Sequence, residues 1–411
     1  MSTTTYARAG NGVAVFELAD LLRRAAYVEK ALLRQQSGWF LRLPAWEDKH
    51  TFGYHIWNHA EHAGWLMDRL RYLRGGNPDA SVDPALRKAV DTALHAADPE
   101  SYIMGGYMVL KKALKEFYQH LLEECDPVAN AFDIRMVRRI LPELEEQIEW
   151  AEQRLRENSE SPSSHYWAQH ISDLLRDAGG IAGDGSGAPE TGSPEAEATS
   201  TEAIQPRTFG LPDHIVFDNR ITAEPLMPHE EKEQLPFEQA VLEQFRVFFN
   251  EIYAASILAT IVYDSFEQDM SWDMIHWFSR HFWDEIRHSQ FGSSRLQELG
   301  SAPDRCNQQL YRNSVQLPLL HRITYLALVL EFGYMPRKKP RFQQYGEQGD
   351  MRSRLFADHD WSDEMNHVRN ARAWLQTLLE DDARDVEQLK EETIKKVETI
   401  VGGPVKSASP W

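Results

Sequence analysis

Asp284-Glu285-Ile286-Arg287-His288 and Asp363-Glu364-Met365-Asn366-His367 decide the fold of this chain. Each is an Asp-Glu-x-x-His run inside a segment whose apolar residues recur with helical period. Residues three apart on a helix share a face, so the Glu and His of each run can reach one point in space. Upstream of each run lies a Glu in an otherwise apolar stretch. Glu251, in FFNEIYAASILATIVY, is 34 residues before Glu285; Glu331, in ITYLALVLEFGYM, is 33 residues before Glu364. That spacing suits one helix, a short turn and half of the next. Four helices offering Glu, Glu-x-x-His, Glu and Glu-x-x-His to a common axis make the ligand set of a carboxylate-bridged two-metal centre. A carboxylate on an apolar stripe is costly to bury unless it is paired or ligates a metal. A single Glu-x-x-His means little in a chain with 16 His, and Glu47-x-x-His50 reads as a chance pair. The repeat carries the argument. Glu243, two turns before Glu251 on a similar face, is the competitor for the first position.

Strand signals are nearly absent, and the long segments have a helical apolar period. The pattern predicts helices near 14–38, 48–74, 82–97, 101–124, 131–158 and 165–176, then near 236–266, 271–299, 318–334, 350–381 and 384–401. Between the two sets, 177–206 is rich in Gly, Ser, Pro, Ala and Glu with no aromatics, a composition that reads as a flexible linker. An extended approach segment, 207–235, leads to Pro236, a good first-turn residue. The expectation is an all-α chain with a helical domain over 1–176, linker and approach over 177–235, and a second helical domain over 236–411 that ends in an accessory helix.

The first half reads as a faded copy of the second. His55-Ile56-Trp57-Asn58-His59-Ala60-Glu61-His62, followed by Arg69-Leu70, aligns with His281-Phe282-Trp283-Asp284-Glu285-Ile286-Arg287-His288 and Arg295-Leu296. His59 replaces Glu285, and His62 matches His288. Glu29 stands where Glu251 would, and Glu146 with Glu149 are offered for Glu364 and His367. For Glu331 the best available counterpart is Glu116. His55, His59 and His62 share a helix face, which leaves open a second metal; a packed polar seam is the plainer reading.

The 411 residues carry 44 basic and 63 acidic side chains, a net charge of −19. So acidic a surface argues against a general nucleic-acid binder and against adhesion to anionic lipid. Cys125 and Cys306 lie far apart and outside ligand-like spacing, so they read as reduced thiols of a cytoplasmic protein. No signal core is visible at the start, and no apolar run is read as reaching spanning length.

The helix order and the ligand arrangement resemble the ferritin-like di-iron carboxylate superfamily. Residues 236–380 resemble its small bacterial members most. Glu331-Phe332-Gly333 matches a Glu-x-x-Gly segment with the glycine one position early, and Asp363-Glu364-Met365-Asn366-His367-Val368 matches an Asp-Glu-x-x-His-Val segment. The resemblance implies two ferritin-like four-helix bundles in tandem, the first degenerate. It implies metal ligands Glu251, Glu285, His288, Glu331, Glu364 and His367, with Glu285 and Glu364 bridging. Asp284 and Asp363 would each accept the free N–H of the His on the opposite helix, which fixes the ring tautomer. Two iron ions are expected, as Fe/Fe or Mn/Fe, with O2 as co-substrate. The implied activity is that of an oxygenase or oxidase acting on a small organic molecule, the four Glu forming its catalytic centre. A ferroxidase or peroxide scavenger, and a non-catalytic scaffold stapled by metal, are the alternatives.

No phosphate loop, zincin motif, nucleophile elbow or Cys pair occurs, so a reductase or ferredoxin is expected to supply electrons. A homodimer is one expected assembly. Tyr253 and Tyr263 are read as core. Trp277, Phe278, Phe282, Trp283 and Trp361 are read as packing rather than as a substrate wall, and His281 and His359 as surface histidines. Arg337-Lys338-Lys339-Pro340-Arg341, the one dense basic cluster, is read as a solvated loop after the Glu331 helix. Its other reading is a patch that steers a carboxylate or phosphate.

Overall fold

A computed structural model describes residues 12–157, 161–185, 206–216 and 218–404. Among the described residues the chain is all-α, and the only strand-like pairing is a single bridge between Thr222 and Arg305. It divides into two compact units, one formed by residues 1–39 and 58–210, the other by 40–57 and 211–411. Most of the expected linker, 186–205, lies outside the described residues.

Helices of the first unit are drawn from α1 (Val15–Phe40), α2 (Trp46–Arg71), α3 (Pro84–Thr92), α4 (Pro99–Ile103), α5 (Lys112–Glu124), α6 (Ala131–Glu157) and α7 (Pro162–Asp177). Asp83, Asp98 and Ser161 cap α3, α4 and α7 by accepting backbone N–H bonds, each ahead of a proline at the first turn. A π-helical segment, Met104–Lys111, joins α4 to α5.

The second unit contains α8 (His229–Lys232), α9 (Phe237–Asn250), α10 (Ile252–Glu267), α11 (Trp272–Glu298), α12 (Gln309–Val315), α13 (Leu319–Thr324), α14 (Phe332–Glu347), α15 (Met351–Leu378) and α16 (Val386–Val401). A second π segment, Tyr325–Glu331, joins α13 to α14. Ser271 caps α11 at its start, and Gly300, at φ +73°, closes it with an Ser301 N–H bond back to the Leu296 carbonyl.

Three features depart from the sequence reading. First, α14 runs on to Glu347 through Pro336 and Pro340, where the pattern predicts an end near 334. Both prolines sit on the exposed side of a helix that packs lengthwise on α15, and that packing outweighs the lost backbone bonds. Secondly, the approach segment is anchored. Val216 N–H donates to the Leu41 carbonyl and Thr222 N–H to that of Asp304, and the segment ends in the short helix α8. Thirdly, Phe237–Glu267 has the length and composition to cross a membrane, but 89% of its most apolar window is buried inside the protein. It is a core helix pair, bent at Glu251.

Candidate metal centre

Close helix packing builds the centre. At Gly292 of α11 an added Cβ would lie 2.1 Å from the Phe249 backbone nitrogen. Only glycine allows α9 and α11 so near, and the Ser289 hydroxyl, donating to the Phe249 carbonyl at 2.9 Å, ties them. Two residues beyond Phe249, the turn between α9 and α10 carries Glu251 toward His288. Helix α11 presents Glu285 and His288 one turn apart, and α15 presents Glu364 and His367 in the same way. Glu331 closes the π segment, a widened turn that recurs at functional sites.

All six residues are buried, and they come together. Potential ligand atoms of Glu285, Glu331 and His367 fall within 4.8 Å of one another, together with His281; so do those of Glu285, His288 and Glu364, and those of Glu251, His288 and Asp360. Glu285 is therefore shared between two overlapping groups, as a bridging carboxylate would be. Glu364 groups only with Glu285 and His288. His288 directs Nε2 to Asp363 and His367 directs Nε2 to Asp284, both at 3.3 Å, which leaves Nδ1 of each ring facing the cluster. Glu251 Oε2, Glu285 Oε1, Glu331 Oε2, Glu364 Oε2, His288 Nδ1 and His367 Nδ1 are all buried with no hydrogen-bond partner. Each of the six thus leaves one atom unsatisfied. An unsatisfied buried group costs about 1–3 kcal/mol; here attraction between His288 Nδ1 and Glu251 Oε2, 3.3 Å apart, and between His367 Nδ1 and Glu285 Oε1, 3.4 Å apart, offsets part of that cost. A ligand that accepts six donor atoms removes that cost.

The charge balance points the same way. Glu251, Glu285, Glu331, Asp360, Glu364, Asp284 and Asp363 bring seven carboxylates. Against them stand Lys338, bonded to Asp360 at 2.6 Å and Glu364 at 3.2 Å, Arg280 on Asp284, and Arg287 between Asp284 and Asp363. With all seven ionised, these three cations leave an excess of four negative charges, which draws divalent ions. In the metal-free chain protons meet part of it, since, burial notwithstanding, Glu285 holds His288 well above its ordinary value. Burial, with neighbouring Glu251 and Glu331, pushes Glu285 up to about 7 against the pull of His288, and burial drives Glu364 well above the carboxylate range. For Glu331, burial is opposed and outweighed by His281, which holds it below its ordinary value. Burial and the adjacent His281 lower His367 to about 4, so it presents a neutral ring.

Sequence reasoning missed three members. His281 is 1% exposed rather than a surface histidine, stacked on His367 with centroids 3.6 Å apart and bonded to Glu331 at 2.9 Å. Asp360 is fully buried in the cluster. Lys338 belongs to no solvated loop; it projects inward from α14 and is 5% exposed. Glu243 instead pairs with Arg246 at 2.6 Å, away from the cluster. His359 is exposed, and Tyr253 and Tyr263 are buried. Trp277 packs on Phe278 and His281, Phe282 on Phe40, Trp283 on Tyr54, and Trp361 on Phe342.

The first unit has a cluster of different charge. Glu29 pairs with His59 Nδ1 at 2.5 Å and accepts from the Tyr118 hydroxyl at 3.0 Å; His62 lies 3.3 Å from Glu29 and bonds Glu143 at 2.7 Å. Lys111, which closes the first π segment as Glu331 closes the second, donates to Gln147 at 2.6 Å. Glu116, Glu146 and Glu149, the expected counterparts, are exposed. Lys111, Glu143 and Gln147 face inward in their place, and His55 is buried outside the Glu29–His59–His62 group.

Over the second unit's cluster lies a cavity of about 60 Å³ whose floor includes Glu251, Glu285, Glu331 and Glu364. Apolar side chains, among them Val247, Ala254, Leu326 and Leu330, form its walls. It adjoins an outer cavity of about 660 Å³; His229, Lys232, Gln244, Arg337 and Arg341 line both. No family model, curated protein or solved structure matches the chain.

Proposed function

We propose that the second unit holds a dinuclear metal centre and uses it as an O2-dependent oxidoreductase, an oxygenase or oxidase of the ferritin-like kind. The observation that carries the reading is the set of six buried, unsatisfied donor atoms on Glu251, Glu285, His288, Glu331, Glu364 and His367. These residues would hold the two ions, with Glu285 shared between them and Asp360 and His281 as further donors. Bound there, two iron ions would supply a redox pair able to activate O2. The protein's own part is positional and electrostatic. Asp284 and Asp363 fix the ring tautomers of His367 and His288. Lys338, Arg280 and Arg287 set the charge. The walls of the inner cavity keep bulk water from the floor while leaving room for a small molecule. Oxygenation by O2 needs two further electrons for each atom inserted, which a reductase or ferredoxin supplies from outside.

An organic substrate is favoured over Fe(II) turnover because the cavity lining combines Lys232, Arg337 and Arg341 with apolar Val247, Leu326 and Leu330, groups that suit an organic anion. In this reading the first unit is a degenerate duplicate, in which Glu29, His59, His62, Lys111 and Gln147 occupy the ligand places.

Anaerobic loading of the full chain with Fe(II), followed by metal analysis and O2 uptake, tests the proposal. Two irons per chain that react with O2, both lost in Glu285→Ala, are expected. A chain that ignores Fe(II), or one that turns excess Fe(II) rapidly into mineral, would overturn it.

A further inference from the structure

The basic cluster of the sequence becomes, in the fold, one wall of the entrance to the carboxylate cluster. Arg337 and Arg341 lie one turn apart on α14, and Lys232 faces them from α8. Lys232 is 8% exposed, and its Nζ reaches only the neutral Gln244 oxygen, at 3.4 Å. Among the described residues no carboxylate forms an ion pair with Lys232, Arg337 or Arg341. Arg337 lies over the Tyr334 ring at 5.3 Å; in a chain of net charge −19, three cations without a carboxylate ion pair around one cavity are conspicuous. Burial, reinforced by the nearby Arg341 and Arg337, lowers Lys232 to about 7, so an anion placed among the three would relieve their mutual repulsion. Below them the walls turn apolar, through Met227, Val247, Leu326 and Leu330, down to the carboxylate floor. The inner space is narrow, about 60 Å³, and the outer one, about 660 Å³, is eleven times larger.

We propose that this entrance binds an amphipathic organic oxyanion. Its carboxylate or phosphate head sits among Lys232, Arg337 and Arg341, and a slender apolar arm points into the inner cavity. Calling that molecule the substrate rests on the oxidoreductase reading; the binding site stands on the cavity alone. Arginine suits the head, since its fork meets a carboxylate or phosphate with two parallel bonds.

The test uses the full chain without metal and three probes, decanoate, decyl phosphate and decan-1-ol, titrated calorimetrically below their aggregation limits. One or both acids should bind, the tighter naming the head, and the alcohol should bind about tenfold or more weakly. Arg337→Gln with Arg341→Gln should weaken the acids by about tenfold while leaving alcohol affinity and metal uptake unchanged. Arg341→Glu, at a half-exposed position, should act in the same direction if the double variant folds poorly. Equal affinity for acid and alcohol, no binding of either acid, or acid binding indifferent to the arginines would overturn the proposal. Metal uptake, measured separately, distinguishes the two ideas. Arginine-dependent acid binding in a chain that takes no metal would sink the oxidoreductase reading and keep this one.

Discussion

Replacing Gly292 by alanine is the most exacting probe of how the centre is built. The new Cβ would lie 2.1 Å from Phe249 N, 2.5 Å from Phe249 Cα and 2.8 Å from the Phe245 carbonyl oxygen, where ordinary contact begins near 3.4 Å. The obstacle is backbone, so no rotamer change relieves it. Helices α9 and α11 must part by more than 1 Å, about the difference between those two distances. Overpacking of this kind costs about 1–3 kcal/mol. The displacement falls on Glu251, two residues past Phe249, which faces His288 across 3.3 Å. A ligand moved by about 1 Å leaves its coordination distance, so affinity for the ion held by Glu251 and His288 should drop by about tenfold or more. The ion nearer Glu331 and His367 should be spared. Competition titrations with Mn(II) or Fe(II), read beside thermal unfolding of the metal-free chain, would show two equivalent losses or one. Unchanged stability with two ions bound as tightly as in the parent would refute the reasoning.

Lys338→Met should destabilise the metal-free chain by about 3–5 kcal/mol, because it strands Asp360 and Glu364 as buried, uncompensated acids; urea unfolding with and without Mn(II) checks this, and added metal should recover part of the loss. Asp284→Asn and Asp363→Asn should each weaken metal binding by about 10–100-fold without abolishing it, measured by chelator competition. In the first unit, His62 is raised to about 9: burial opposes, but Glu29 and Glu143 prevail. A raised folded value means that its ion pair stabilises fully below the unfolded value of about 6.5 and is lost as pH climbs through about 9. His62→Gln should therefore lower the melting temperature clearly at pH 6 and hardly at pH 10; an equal deficit at both would show that the ring acts by packing alone.

The repeated Glu-x-x-His runs were legible because metal ligation and helix geometry impose the same spacing of three. Two missed members obey related spacings. His281, Glu285 and His288 stand at i, i+4 and i+7, the pattern noticed for His55, His59 and His62, and Asp360, Glu364 and His367 repeat it. Lys338 was hidden for another reason. Pro336 and Pro340 argue locally for a helix end, yet tertiary packing carries α14 through them and sets Lys338 two turns beyond Glu331. In the first unit Lys111 ends its π segment as Glu331 ends the other, and a change of sign leaves no trace in a pattern of like residues. The cavity was unreadable because it joins α8, α9, α10 and α14, which no single periodicity links.

The first unit's cluster draws its positive charge from His62, held above its ordinary range by Glu29 and Glu143 against burial, and satisfies Lys111 through Gln147; these groups arrive with the polypeptide itself. A chelator cannot strip them, a shortage of iron cannot delay them, and a wrong ion cannot displace them. On the reading proposed above, one half of the chain would be complete as soon as it folds, whatever the metal supply, while the other would wait to be loaded.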